Sequence, residues 1–135
     1  MADIQYVSVE EALLLNATVI GLTHGTLGVR DMGGLSGSLE RPKSAFGGKE
    51  MFPTPFDKAA AYIESVARNH SFLDGNKRTA YLIGATFFKK NGYDLAPKKG
   101  EIETFMLWIV NEKPQLKEIA VWLKERTKPA RRKKK

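Results

Sequence analysis

Apolar positions recur at helical spacing through most of the chain, and the breaks between them mark element ends. Residues 4–7 read as a short extended start. Ser8 followed by Glu11 is a capping box, in which each side chain satisfies the other residue's backbone N–H, and Ala12, Leu13, Leu15, Val19 and Ile20 then line one face. That helix is predicted to stop within residues 21–25. Thr54-Pro55-Phe56-Asp57 opens a second one: Thr54 caps, Pro55 suits the first helical position, and Asp57 suits the positive helix end. It runs to about Asn69 with Ala59, Ala60, Ile63, Val66 and Ala67 on one face. Residues 76–90 are apolar nearly all round from Thr79 to Phe88, which predicts a helix covered on several sides, and Asn91-Gly92 closes it. Two further helices are predicted over 101–111 and, after Pro114, over 115–126.

Between Gly25 and Gly48 lie seven of the 12 glycines, so this stretch reads as a loop-rich flap with one short helical piece at 35–40. Leu27, Val29 and a turn at 31–34 predict a small hairpin. No repeat or heptad pattern is present. The expected fold class is all-α: a compact helical bundle with a glycine-rich flap, carrying a small β-hairpin, beside the polar loop at 70–75.

The chain has 135 residues, 42% hydrophobic and 27% charged, which fits one globular domain. Cysteine is absent, excluding a disulfide framework, a Cys-based zinc site and a cysteine nucleophile. With only two histidines, His24 and His70, a bound metal is expected to be a hard ion held by carboxylate and phosphate. The longest nearly apolar stretch, residues 80–88, is too short to span a bilayer, and no basic segment precedes an apolar one after Met1-Ala2-Asp3. The chain therefore reads as cytoplasmic, without a membrane partner.

The formal net charge of +7 is confined to one end. Residues 124–135 hold eight basic groups and one acid, leaving 14 of each sign in the rest. A neutral body argues against a nucleic-acid face built into the fold. Residues 1–127 are expected to form the domain and 128–135 a basic, disordered tail that attracts polyanions, nucleic acid among them, without specificity.

Ionisable groups are densest in Arg68-Asn69-His70-Ser71-Phe72-Leu73-Asp74-Gly75-Asn76-Lys77-Arg78, which leads into a helix N-terminus, where unpaired N–H groups and the helix dipole favour an anion such as phosphate. His70 suits proton transfer near neutral pH, Asp74 a Mg²⁺ ion bridging phosphates, Gly75 close backbone approach, and Lys77 with Arg78 phosphate charge. Phe72 and Leu73 are expected to anchor the loop in the core. Taken singly, the same residues also fit a helix-end histidine, a capped turn and two solvated cations. The set also suits a metal-dependent nuclease.

His70-x-Phe72-x-Asp74-Gly75-Asn76-Lys77-Arg78 resembles the signature of the Fic/Doc superfamily, in the form typical of the Doc (death-on-curing) toxins of Phd/Doc-type toxin–antitoxin systems. Val29-Arg30-Asp31-x-Gly33, Leu35-x-Gly37-Ser38-Leu39-x-Arg41-Pro42 and Asn91-Gly92-Tyr93 extend the similarity over most of the chain, the basic tail excepted. The resemblance implies an all-α Fic fold, ATP as donor, Mg²⁺ as cofactor and a protein hydroxyl as acceptor. By motif position, His70 is the implied general base, Asp74 the metal ligand, Asn76 a phosphate- or loop-positioning group, and Lys77 with Arg78 the phosphate clamp. Gly75 belongs to the implied nucleotide site, Arg68 is an implied nucleotide or target contact, and the flap at Leu27, Val29 and Arg30 is an implied target-docking edge.

The motif departs from the AMP-transferring form H-P-F-x-D/E-G-N-G-R-x-x-R at three positions: Ser71 replaces Pro, Lys77 the second Gly, and Tyr81 the last Arg. In Doc-like proteins the lysine accompanies an inverted nucleotide, so the implied reaction is transfer of the γ-phosphoryl group to a translation protein, with elongation factor Tu as the leading target and protein synthesis inhibited. Gly75 is shared with the AMP-transferring form, which keeps AMP transfer as the alternative. A catalytically silent Fic-fold binding module, engaging nucleic acid through its tail, is the reading from another class. Ser36 and Glu40 begin an S/T-x-x-x-E-G/N inhibitory pattern, but Arg41 breaks it. Inhibition is therefore expected from elsewhere, and the resemblance implies a small Phd-like antitoxin whose C-terminal segment folds into an apolar groove, expected near residues 13–19.

Overall fold

The computed structural model describes residues 3–130 and has six α-helices with two small antiparallel strand pairs. The all-α expectation holds. Helix α1 (Val9–Thr23) starts at the Ser8–Glu11 capping box and ends where His24 turns left-handed, its N–H bonding Ile20 O at 2.9 Å. Residues 4–7 form no strand. Asn91 instead ties them down, donating from Nδ2 to Gln5 O and accepting from Gln5 N–H, both at 2.8 Å.

The turn expected at 31–34 is the start of helix α2 (Met32–Glu40). The Asp31 carboxylate accepts the Gly34 N–H at 2.8 Å, and a Cβ on residue 34 would lie 2.5 Å from Asp31 Oδ2. This glycine makes room for a helix cap, so no hairpin forms there. A short 3₁₀ turn (Arg41–Lys43) follows, and the hairpin comes later: β1 (Ala45–Phe46) pairs with β2 (Lys49–Glu50) across Gly47-Gly48, both at positive φ as a type I′ turn requires.

Helix α3 (Pro55–Asn69) opens at the predicted Thr54 cap, where Asp57 in turn accepts the Thr54 N–H to complete a capping box, and is the hub. It packs against α2 and against α4 (Asn76–Lys90), α5 (Glu101–Glu112) and α6 (Leu116–Arg126). The pattern predicts an α4 covered on several sides, and no residue from Thr79 to Phe88 is exposed; it predicts a single buried face for α3, which is enclosed as well. In fact α3 buries nine residues, because the small side chains of Ala59, Ala60 and Ala61 let neighbours approach from several directions. Even Lys58 is buried, at 1% exposure, its Nζ held by Glu50 and the Phe52 carbonyl. Where α3 crosses α4, a Cβ on Gly84 would sit 2.4 Å from Ile63 Cδ1, so this glycine sets the closeness of the crossing.

Strand β3 (Tyr93–Leu95) pairs antiparallel with β4 (Thr127–Pro129), and Ala130 N–H bonds Gly92 O at 2.9 Å. Lys128 and Pro129, expected to begin a loose tail, are therefore ordered by sheet pairing. The rest of that tail, 131–135, lies outside the described residues. Among the described residues no helix is long and apolar enough to cross a membrane.

Candidate active site

The loop between α3 and α4 is shaped by its own backbone. His70 ends α3 in the left-handed region, at φ 51° and ψ 43°, which breaks the helix and sends the chain back across the bundle. Ser71 O then accepts the Arg30 and Asp31 N–H groups at 2.7 and 3.1 Å, and Leu73 N–H bonds Gly28 O at 2.9 Å. These bonds form an isolated antiparallel bridge between Val29 and Phe72. The flap and the motif loop are thus one small sheet-like unit. Phe72 is fully buried beneath it. Leu73, expected to share that role, is 43% exposed, because the strand alternation that turns Phe72 inward turns its neighbour outward, against Gly28.

Asn76 closes the loop at its other end. Its Oδ1 accepts the Phe72 N–H and its Nδ2 donates to Phe72 O, each at 3.0 Å. Of the two roles implied for this side chain, its contacts are those of loop positioning. Gly75 lies between loop and helix at φ 76°, the conformation that admits glycine at little cost. The N–H groups of Asn76, Lys77 and Arg78 have no acceptor among the described residues and form the open N-terminus of α4.

Asp74 is fixed at three points. Its Oδ1 accepts the Gly75 N–H at 2.8 Å, its Oδ2 the Thr26 N–H at 3.3 Å, and its carbonyl the Nδ2 of Asn16 at 3.0 Å. A Cβ on Gly25 would lie 2.3 Å from Oδ2, so the linker after α1 packs directly on the carboxylate. Nothing in the motif itself points to Asn16, Gly25 or Thr26. Asn16 does leave a signal, as a polar residue in register with the apolar positions Ala12, Val19 and Ile20.

These elements enclose a cleft of ≈ 430 Å³ whose lining includes His70, Asp74, Gly75, Asn76, Lys77 and Arg78, with Arg30 contributed by the flap. Neither Lys77 nor Arg78 has a carboxylate partner among the described residues, and both are exposed. The cleft thus offers one imidazole, one carboxylate, three cations and a helix N-terminus, which suits a multiply charged phosphate ligand. Arg68 is not brought to it. Its Nη1 bonds Glu64 Oε2 at 2.9 Å while Nε and Nη2 donate to Ile109 O at 3.3 and 3.0 Å, a structural clamp between α3 and α5. Leu27 stands on the outer flap, exposed and outside the cleft lining, whereas Val29 is half-buried in the bridge.

The model of the Fic/DOC family matches residues 6–88, which run from just before α1 into the last turn of α4 and include every residue of the cleft lining but Val110. The chain belongs to the Fic/DOC family. Among curated Fic/DOC relatives, the chain is 41% identical over 92 residues to "Toxin Doc" of Mycolicibacterium smegmatis, covering 68% of each chain. It is 31% identical over 88 residues to "Protein kinase doc" of Escherichia phage P1, covering 65% of this chain and 69% of that one. Tyr81, at the position of the last arginine in the AMP-transferring Fic pattern, is buried, and burial pushes its phenol up to about 12. It therefore stays neutral and supplies no charge to the cleft.

A magnesium ion fits the donor set. One carboxylate leaves most of an octahedral shell to phosphate oxygens and water, which is how Mg²⁺ is usually held beside nucleotides.

Proposed function

We propose that this chain is a Doc-type toxin that transfers the γ-phosphoryl group of ATP to a hydroxyl of a translation protein, elongation factor Tu being the leading target. The observation that carries the reading is Lys77 in the first turn of α4, beside Asp74 and Arg78 and with no carboxylate partner among the described residues. A glycine there would leave room for a phosphate; a lysine fills that room with a cation suited to a transferring phosphoryl. The phage relative is named a protein kinase, which agrees with this choice.

His70 takes the acceptor's hydroxyl proton as the new oxygen–phosphorus bond forms. The bond from the γ-phosphorus to the bridging oxygen breaks, and ADP leaves. Lys77 and Arg78 neutralise charge spread over the transferring group. Mg²⁺ held at Asp74 would supply further neutralisation across the phosphates. The outer edge of the flap is the proposed docking strand, because Val29 turns its own N–H and C=O away from the bridge with Phe72 and has no main-chain partner there among the described residues.

Neutralisation by a Phd-like antitoxin belongs to the same proposal. Its support is an apolar groove of ≈ 560 Å³ among α1, α4 and α5, including Leu22, Tyr81, Leu82, Ile102, Met106 and Leu107 and reaching Lys77 and Arg78. Leu22 is 76% exposed there. The groove lies beyond the stretch at 13–19: Leu13 and Leu15 pack on the core, and only Val19 of that stretch lines the groove.

The test is intact-mass analysis of purified elongation factor Tu after incubation with this protein and Mg-ATP, beside a His70→Ala control. Addition of phosphate that is lost in the control is expected. Addition of AMP would assign the Fic-type reaction instead, and labelling of a different protein in a lysate would replace the target. No labelling anywhere would leave a binding module.

A further inference from the structure

Asn16 lies on the inner side of α1 at 2% exposure, in a position where an apolar residue would complete the core. Its Nδ2 donates to two acceptors: the Asp74 carbonyl at 3.0 Å and Thr79 Oγ1 at 3.1 Å. The first is the last residue before the left-handed turn at Gly75, and the second is in the first turn of α4. One buried amide thus spans the junction between loop and helix. The same α1 surface closes over the turn, since a Cβ on Gly75 would lie 3.4 Å from Asn16 Nδ2 and 3.0 Å from Val19 Cγ1.

A polar group this deep lowers stability unless its bonds are made, and those bonds are strong where water is excluded. Both bonds go to the turn that carries the phosphate-facing N–H groups and the Asp74 carboxylate. We infer that Asn16 is a positioning residue for this turn: it holds the Asp74 backbone so that the carboxylate and the open end of α4 face the cleft together. What the turn binds rests on the phosphotransfer reading; the positioning itself does not.

Amide hydrogen exchange in the full chain, without nucleotide, tests the positioning, and the Mg²⁺ concentration for half-maximal label transfer tests its use. In Asn16→Leu, exchange at the Gly75 and Thr79 N–H groups, which donate to Asp74 Oδ1 and Gly75 O, is expected to rise about tenfold, the loss of roughly one buried hydrogen bond, while the interior of α3 keeps its protection. The Mg²⁺ requirement is expected to rise with it, and excess Mg²⁺ to restore transfer in Asn16→Leu but not in His70→Ala. Thr79→Val, which removes one acceptor and preserves shape, is expected to give a smaller change in the same direction if Asn16→Leu fails to fold. Unchanged exchange at Gly75 and Thr79 in the folded variant, or loosening of α3 and α4 alike, would overturn the inference. If the unaltered protein transfers no phosphoryl group, the phosphotransfer reading falls while the exchange result still decides the role of Asn16.

Discussion

Gly75 joins the chemistry of the cleft to the backbone that carries it. Its φ of 76° is unfavourable for any side chain, and an added Cβ would press on Val19 Cγ1 at 3.0 Å and Ile20 Cδ1 at 3.3 Å. Gly75→Ala is therefore expected to destabilise the fold by about 1–2 kcal/mol, as a lowered midpoint in urea unfolding with an unchanged slope. Most groups in the cleft were legible because they are neighbours along the chain: His70, Asp74, Lys77 and Arg78 fall within one loop and one helical turn. Asn16, Gly25 and Thr26 reach the same turn from far away in sequence, and no local pattern announces where an N–H or an amide will point. Arg68 shows the converse. It sits two positions before His70, yet the end of α3 turns it toward Glu64 and Ile109, where one carboxylate and one helix-end carbonyl satisfy its donors.

Helix boundaries followed their caps closely. The Ser8–Glu11 box and the Thr54 cap both form, and Asp57, expected only to suit the positive helix end, completes a second box, since each is a local exchange of hydrogen bonds within one turn. Glu11 has a second partner across the bundle, Lys90 at the end of α4, at 2.7 Å. Its hydrogen bond to Lys90, followed by that from the Ser8 backbone, holds the Glu11 carboxyl below its ordinary value. A carboxyl depressed in the folded state adds stability above its unfolded pKa and loses it as pH falls through the lower folded value. The melting temperature of the unaltered protein is thus expected to exceed that of Glu11→Gln near neutral pH, with the gap closing in acid. Thermal melts from pH 7 down to about pH 3 would check it; a gap that persists in acid would contradict the assignment. Glycines were harder to read, because the same residue serves a turn at Gly47-Gly48, a cap at Gly34 and a helix crossing at Gly84.

Charge divides the protein into a neutral body and a basic end. Strand β4 anchors that end to β3, and Ala130 bonds Gly92 just beyond the C-terminus of α4. The cleft lies at the other end of α4, a helix of 15 residues, so roughly 20 Å separates the last described residues from the active loop. Removing residues 131–135 is accordingly expected to leave melting temperature and label transfer unchanged while weakening retention on a polyanion column; a large fall in transfer would show that the tail serves catalysis.

The helices, their caps, the all-α class and the ionisable motif could be read from the chain because each depends on residues a turn or two apart. Packing supplied the rest: the burial of α3 on more than one face, the flap paired to the motif loop through Val29 and Phe72, Arg68 outside the cleft and Asn16 beneath it. These features arise where segments distant in sequence compete for the same volume and hydrogen bonds, and that competition is resolved when the bundle closes.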